Sequence, residues 1–298
     1  MTAPASASAP AALGSARPIS KHGAGIELIE AGREPRSALR YSFSAGHTEK
    51  LKVLTSTAIS IELSGRKAES PSLPEVELGI SIQVLEVRPD GTARREIALQ
   101  RVELGAGGAL DPSTKRELEG TLGEITKLKG RDAIDRRGRM RALELDTTAL
   151  ADPRLGQLLD QLQQSLGQMG APFPEEPIGV GARWAVTSEV VQQGMKLQQV
   201  ATYELTELSG DKGAARIELK QFAPRGSVTP PGLPPNVKAE IVSLDSKGLG
   251  KLRFDLKRSV PEGQLRTKAK IKVRTTSAGR QEDTSMDLDV RVRFQPEK

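Results

Sequence analysis

The residues able to do chemistry are few, and their spacing argues against catalysis. The chain has no Cys and only two His, His22 and His47. Thiolate nucleophiles, disulfides and Cys metal sites are therefore excluded, and neither imidazole has a second ligand or acid/base partner near it in sequence. No metal and no cofactor is expected. Glu175 and Glu176 would serve as an acid/base pair only if their environments pushed their pKa values apart. Set between Pro174 and Pro177, they read more simply as a solvated loop. No Gly-x-Ser-x-Gly nucleophile elbow occurs. Gly179-Val-Gly181 lacks the third glycine of a dinucleotide fingerprint and leads toward a strand, where the fingerprint opens a helix; Gly23-Ala-Gly25 has no strand leading into it. The expectation is a protein that is not an enzyme.

Two sets of residues are candidates for binding. In Arg266-Thr-Lys268-Ala-Lys270-Ile-Lys272-Val-Arg274 the cations alternate, so Arg266, Lys268, Lys270, Lys272 and Arg274 share one face of a strand, a face able to hold phosphate. With Gly279 in the following turn, Lys272 is expected opposite Asp287 and Lys270 opposite Asp289, which would neutralise much of that face. The second set is apolar. Leu155, Leu158, Leu159, Leu162 and Leu166 recur at helical spacing, and together with Trp184 they are the tentative contacts for an apolar ligand. Each has a structural alternative: the stripe as core against a sheet, Trp184 as the anchor of a strand. The proline-rich Pro224–Asn236 contains a Pro-x-x-Pro element but reads mainly as an inserted loop.

The elements that position these residues are mostly strands. Asp152 is a good N-cap, Pro153 fits the first helical position, and Gly170 and Pro172 stop the run, which predicts one amphipathic helix over 152–168. Elsewhere short alternating runs are separated by Gly, Pro and Asp. Leu39–Phe43, Leu51–Leu54 and Ala58–Leu63 read as strands; Leu78–Val87 and Ala93–Leu104 form a hairpin around Asp90-Gly91; a further pair surrounds Asp135–Gly138. After the helix the punctuation returns. Arg183-Trp184 stands where Arg40-Tyr41 stood, Ser209–Gly213 repeats the Asp90-Gly91 hairpin, and Asp245–Gly248 repeats the Asp135–Gly138 turn. Three matches in one order predict a duplication.

Composition bounds the rest. With 298 residues and 37% hydrophobic content the chain can build a core, but at 3% aromatic that core is aliphatic and stacking platforms for sugars or single-stranded nucleic acid are disfavoured. The net charge of +6 is a weak lean toward anionic partners, with no specific nucleic acid expected. The Ala/Ser/Pro-rich start has the composition of an extended tether. The expected division is a disordered tether over 1–36, a first β module over 37–150, a helix and connector over 151–177 and a second β module over 178–298. The fold class is mainly β, with antiparallel curved sheets or a partial barrel built from the two related modules.

The Leu39-Arg-Tyr-x-Phe43 run, the Asp90-Gly91 hairpin, the Asp135-x-x-Gly138 turn and the passage Pro174-x-Glu-Pro-Ile-x-Val-Gly-x-x-Trp184 resemble an uncharacterised family of bacterial envelope lipoproteins carrying a domain-of-unknown-function label. The resemblance spans about Ser37 to Phe294 and implies a location and an architecture, with no catalytic residue. The chain departs from that family in lacking a lipid-accepting Cys and a signal peptide. The expected localisation is the cell envelope, periplasmic or anchored at the outer membrane, on the premise of a signal peptide outside this sequence. The expected function is non-enzymatic binding of an apolar or amphiphilic ligand, such as a lipid or another envelope component, in a curved sheet covered by the helix. The alternatives are a structural or interaction module with a filled core and, further off, an envelope hydrolase.

Overall fold

The computed structural model describes residues 25–63, 66–68, 73–105, 129–141, 144–146, 170–192, 195–223, 227–228, 238–277 and 280–297, with residues 113, 116, 119, 120, 122, 123 and 126 between β-strands. Fourteen strands are formed: β1 (Gly25–Glu30), β2 (Thr48–Leu63), β3 (Arg66–Ala68), β4 (Val76–Val87), β5 (Ala93–Leu104), β6 (Lys129–Ile134), β7 (Glu144–Asp146), β8 (Arg183–Gln192), β9 (Met195–Ser209), β10 (Lys212–Phe222), β11 (Ser227–Val228), β12 (Lys238–Asp255), β13 (Glu262–Ser277) and β14 (Arg280–Glu297). The helix expected over 152–168 lies outside the described residues, and no continuous helix stands among those described.

All strands belong to one sheet in the order β1-β8-β9-β10-β12-β13-β14-β2-β4-β5-β6-β7, with β3 beside β2 and β11 beside β12. The antiparallel β class is as expected, formed as one long sheet: the two halves of the chain join through β14 and β2, paired from Thr284↔Leu63 to Glu297↔Lys50. The sheet is open, with β1 and β7 at its ends. It is nonetheless rolled. Phe173 donates its main-chain N–H to the Arg137 carbonyl just beyond β6 at 2.8 Å, while its ring lies 5.9 Å from that of Trp184 on β8. Those strands stand nine steps apart in the order, or ~43 Å across a flat sheet at about 4.8 Å per strand. The coil 170–182 spans the gap at one end of the roll.

Two lead-in segments brace that end. The Ser37 and Ile178 main chains exchange hydrogen bonds of 3.0 and 2.9 Å, and Arg33 donates to the Val180 carbonyl at 2.9 Å. Gly179 makes the approach possible, because a Cβ there would collide with the Arg33 carbonyl. Gly138, at φ 80°, plays a similar part in the turn after β6, where a side chain would meet the Tyr41 ring at 2.6 Å.

Tyr41, Phe173, Trp184, Tyr203 and Phe254 form a cluster of buried rings with Leu39, Ile178, Leu205, Leu252 and Leu256 around it. Concentrating the scarce aromatics here puts the largest apolar areas where the roll must be held. Aliphatic clusters fill the rest of the inner face, one on β2, β4 and β5 around Leu51, Ile80 and Ile97, another on β8, β9, β12, β13 and β14 around Leu197, Ile241 and Leu288.

Several expectations change. Residues 25–36, expected within the tether, are built into the fold: β1 pairs with β8, and residues 31–37 hydrogen-bond within the lead-in. Leu39–Phe43 is coil instead of strand, with Leu39 and Tyr41 buried. Leu51–Leu54 and Ala58–Leu63 are one strand, β2. Asp245–Gly248 lies inside β12, paired along its length by β13 and at Lys247 and Gly248 by β10 as well, so it forms no turn like that of Asp135. A turn of that kind stands at Asp255, the end of β12. Its carboxylate accepts the Lys257 N–H at 3.0 Å and its carbonyl the Arg258 N–H at 2.9 Å, as Asp135 accepts from Arg137 and Gly138 at 2.9 Å each.

Candidate functional site

The inner face is made by every second residue of each strand, and one register row across it is divided chemically. Ser188, Gln199 and Gln221 stand in register from β8 to β10, and Ser246, Ala269, Leu288 and Ile59 from β12 to β2, with the Ser246–Gln221 side-chain hydrogen bond joining the two runs across seven strands. The first four are polar and the last three aliphatic. Ser246 Oγ donates to Gln221 Oε1 at 2.9 Å, and Gln221 Nε2 donates to Gln199 Oε1 at 3.1 Å, so the polar half is a hydrogen-bonded chain on an otherwise apolar surface. Ser246 and Gln199 are buried, while Gln221, Ala269 and Ile59 keep partial exposure. The row presents hydrogen-bonding groups and an aliphatic stretch side by side, the two surfaces an amphiphile needs.

Trp184 belongs to a different region. It is 0% exposed, its indole N–H donates to the Pro172 carbonyl at 2.8 Å, and its ring stacks on Tyr203 at 5.3 Å. The structure therefore places it in the core at the rolled end. Leu155, Leu158, Leu159, Leu162 and Leu166 lie outside the described residues.

The five cations of β13 do share the outer face, but the register differs from that expected. β13 and β14 pair with Lys270 opposite Asp287, Lys268 opposite Asp289 and Ile271 opposite Met286, a shift of two residues that keeps every side chain on its expected face. Arg266 grips Asp289 through both guanidinium nitrogens, with Nε to Oδ1 at 2.8 Å. Arg274 binds Asp283 at 2.8 and 3.2 Å, and Lys272 reaches the same carboxylate at 3.0 Å. The hydrogen bonds from Arg274 and Lys272 hold the Asp283 carboxyl down at about 2. Lys270 sits in register between Asp287 on β14 and Asp245 on β12. The face is thus brought together and largely neutralised within the sheet.

Two buried polar groups escaped sequence reasoning. Arg95 on β5 and Asp132 on β6 point inward as a fully enclosed bidentate pair, with Nε to Oδ1 at 2.9 Å and side chains 2% and 0% exposed. The alternation of Ala93, Ile97 and Leu99 puts Arg95 on the core side, and that parity was the available signal. Glu49 on β2 also points inward and accepts the Ser259 main-chain N–H at 2.7 Å, with His47 Nε2 at 4.0 Å. Glu, His and Ser are the types of an acyl-transfer relay, but here the carboxylate bonds the serine's backbone. Ser259 Oγ is buried and has no hydrogen-bond partner, so no imidazole activates it. Among the described residues no group of three or more His, Asp or Glu is placed to hold a metal ion, and no helix is long and apolar enough to cross a membrane.

No protein-family model matches the chain, and no curated protein matches it. Among solved structures, a crystal structure of Pseudomonas aeruginosa OccK11 (OpdR) is similar at 11% identity and a TM-score of 0.23, with 86% of this chain and 99% of that chain covered. A score that low carries no argument about fold or function.

Proposed function

We propose that the protein is a non-enzymatic component of the cell envelope that holds an apolar or amphiphilic ligand, such as a lipid, against the inner face of its rolled sheet. The observation that carries this reading is the row from Ser188 to Ile59, in which a polar half joined by side-chain hydrogen bonds adjoins an aliphatic half, Ser246 standing in register with Ala269. A polar head would exchange hydrogen bonds with Gln221 and Ser246 while an acyl chain lay along Ala269, Leu288 and Ile59. The envelope location rests on the motif resemblance and on the Ala/Ser/Pro composition of the first residues.

The architecture behind the row is a duplicated four-strand meander, β2-β4-β5-β6 and β8-β9-β10-β12. The support is that each contains a short hairpin between its second and third strands and ends at an Asp-capped turn, Asp135 in one and Asp255 in the other. Duplication would explain why two lead-ins, 31–37 and 178–182, meet as a pair.

A structural or interaction module with a filled core is the second reading, and the closed ring cluster at the rolled end favours it. Native mass spectrometry of protein purified from cells separates the two. A copurifying amphiphile is the expected result; the bare chain mass in repeated preparations refutes ligand holding.

A further inference from the structure

On the outer face of the sheet, Glu204, Arg216, Lys251, Gln264 and Arg293 stand in one register row across β9, β10, β12, β13 and β14. Arg253 lies one outward position along β12 from Lys251. With Glu207, Glu262 and Gln295, these cations line a trough of ≈ 450 Å³. Several outer-face charges are settled within the sheet: Arg266 with Asp289, Arg274 with Asp283, and Glu77 shared between Lys52 and Arg101 at 2.7 Å each. In the trough fewer are. Among the described residues Lys251, Arg253 and Arg293 form no ion pair, and Arg216 reaches only Glu204, at 3.9 Å.

Like charges directly opposite one another on paired strands destabilise a sheet, and Arg216 faces Lys251 in register. Glu204 at the end of the row, Glu207, and Glu262 directly opposite Arg253 make three carboxylates against four cations, Arg216, Lys251, Arg253 and Arg293, and leave an excess of one positive charge. The spacing specifies what would neutralise them. Arg216 and Lys251 are one strand apart and Lys251 and Arg293 two, or about 5 and 10 Å across the sheet. A single carboxylate or phosphate would satisfy one of these cations, whereas a ligand with two or more phosphate groups along the row would bridge them. Arg forks suit phosphate oxygens, and Gln264 adds an amide donor between Lys251 and Arg293.

We propose that this trough is a binding site for a polyphosphorylated ligand, with Lys251 and Arg293 as its principal contacts and Arg216 and Arg253 at its margins. The site lies on the face opposite the proposed amphiphile row and is independent of it.

Inorganic tripolyphosphate, titrated calorimetrically into the full chain at low ionic strength, tests the site. The wild type should bind saturably, Lys251→Gln with Arg293→Gln should weaken binding about tenfold or more, and Arg266→Gln should weaken it less than about threefold because its charge is already met by Asp289. Sedimentation with vesicles containing cardiolipin, whose headgroup carries two phosphates, is the second arm. Saturable tripolyphosphate binding without vesicle binding assigns a free polyphosphate, while vesicle binding lost in the double variant assigns a lipid headgroup. Absence of binding in both arms, equal binding by the double variant, or an equal loss in Arg266→Gln overturns the proposal. Circular dichroism confirms that each variant is folded. Retention of any copurifying amphiphile by the double variant separates a failure here from a failure of the inner-face reading.

Discussion

Replacing Phe173 by Ala should cost the protein a large part of its stability. The side chain is wholly buried and its ring meets three others, Tyr41 at 5.5 Å, Trp184 at 5.9 Å and Phe254 at 4.9 Å. Truncating such a residue costs about 3–5 kcal/mol, against a total of roughly 5–15 kcal/mol for a folded protein. Phe173→Leu keeps most of the volume and loses mainly the ring pairs, so it should cost about 1–2 kcal/mol. Leu249→Ala is the control: that residue is 58% exposed on the outer face of β12, and its loss should stay within about 0.5 kcal/mol. Urea unfolding followed through Trp184, the only tryptophan, reads the same cluster, and far-ultraviolet circular dichroism reads the sheet. If Phe173→Ala costs less than about 1 kcal/mol, the coil 170–182 does not hold the roll and the reasoning fails.

The two tyrosines give a pH test. Burial raises the Tyr203 hydroxyl to about 12 and raises Tyr41 as well, so the folded chain keeps both phenols neutral where the unfolded chain ionises them near pH ~10. This stabilisation is fully present below that pH and is lost as pH climbs toward the folded values. Phenolate absorbance should therefore appear only as circular dichroism collapses; a tyrosinate signal near pH ~10 with the sheet intact would contradict the burial of both rings. The Arg95–Asp132 pair makes a double-mutant prediction. Arg95→Met or Asp132→Leu alone should cost about 3–5 kcal/mol by stranding a buried charge, while the two together should cost much less in urea unfolding.

What the sequence made legible followed from local rules. Asp90-Gly91 can turn tightly and its flanks alternate, so β4 and β5 were placed almost to the residue. The face of each β13 cation was also legible, because a two-residue register slip conserves parity. What failed was decided by neighbours. Asp245-Ser-Lys-Gly248 has turn composition, but β13 pairs with all four residues and β10 with Lys247 and Gly248, which holds the segment extended. Thr55-Ser-Thr57 looked like a break and simply continues β2. β1 was hidden by the low-complexity residues before it. The inner row and the outer trough take one residue from each of several strands, so no window of sequence contains either.

The central claim is that the inner face holds an amphiphile along Ala269, Leu288 and Ile59, and native mass spectrometry of the wild type beside Leu288→Glu tests it most directly. A discrete added mass of lipid size on the wild type, lost from a variant that still folds, is the predicted result. A bare chain mass in both, or a bound mass indifferent to the new carboxylate, would contradict the account.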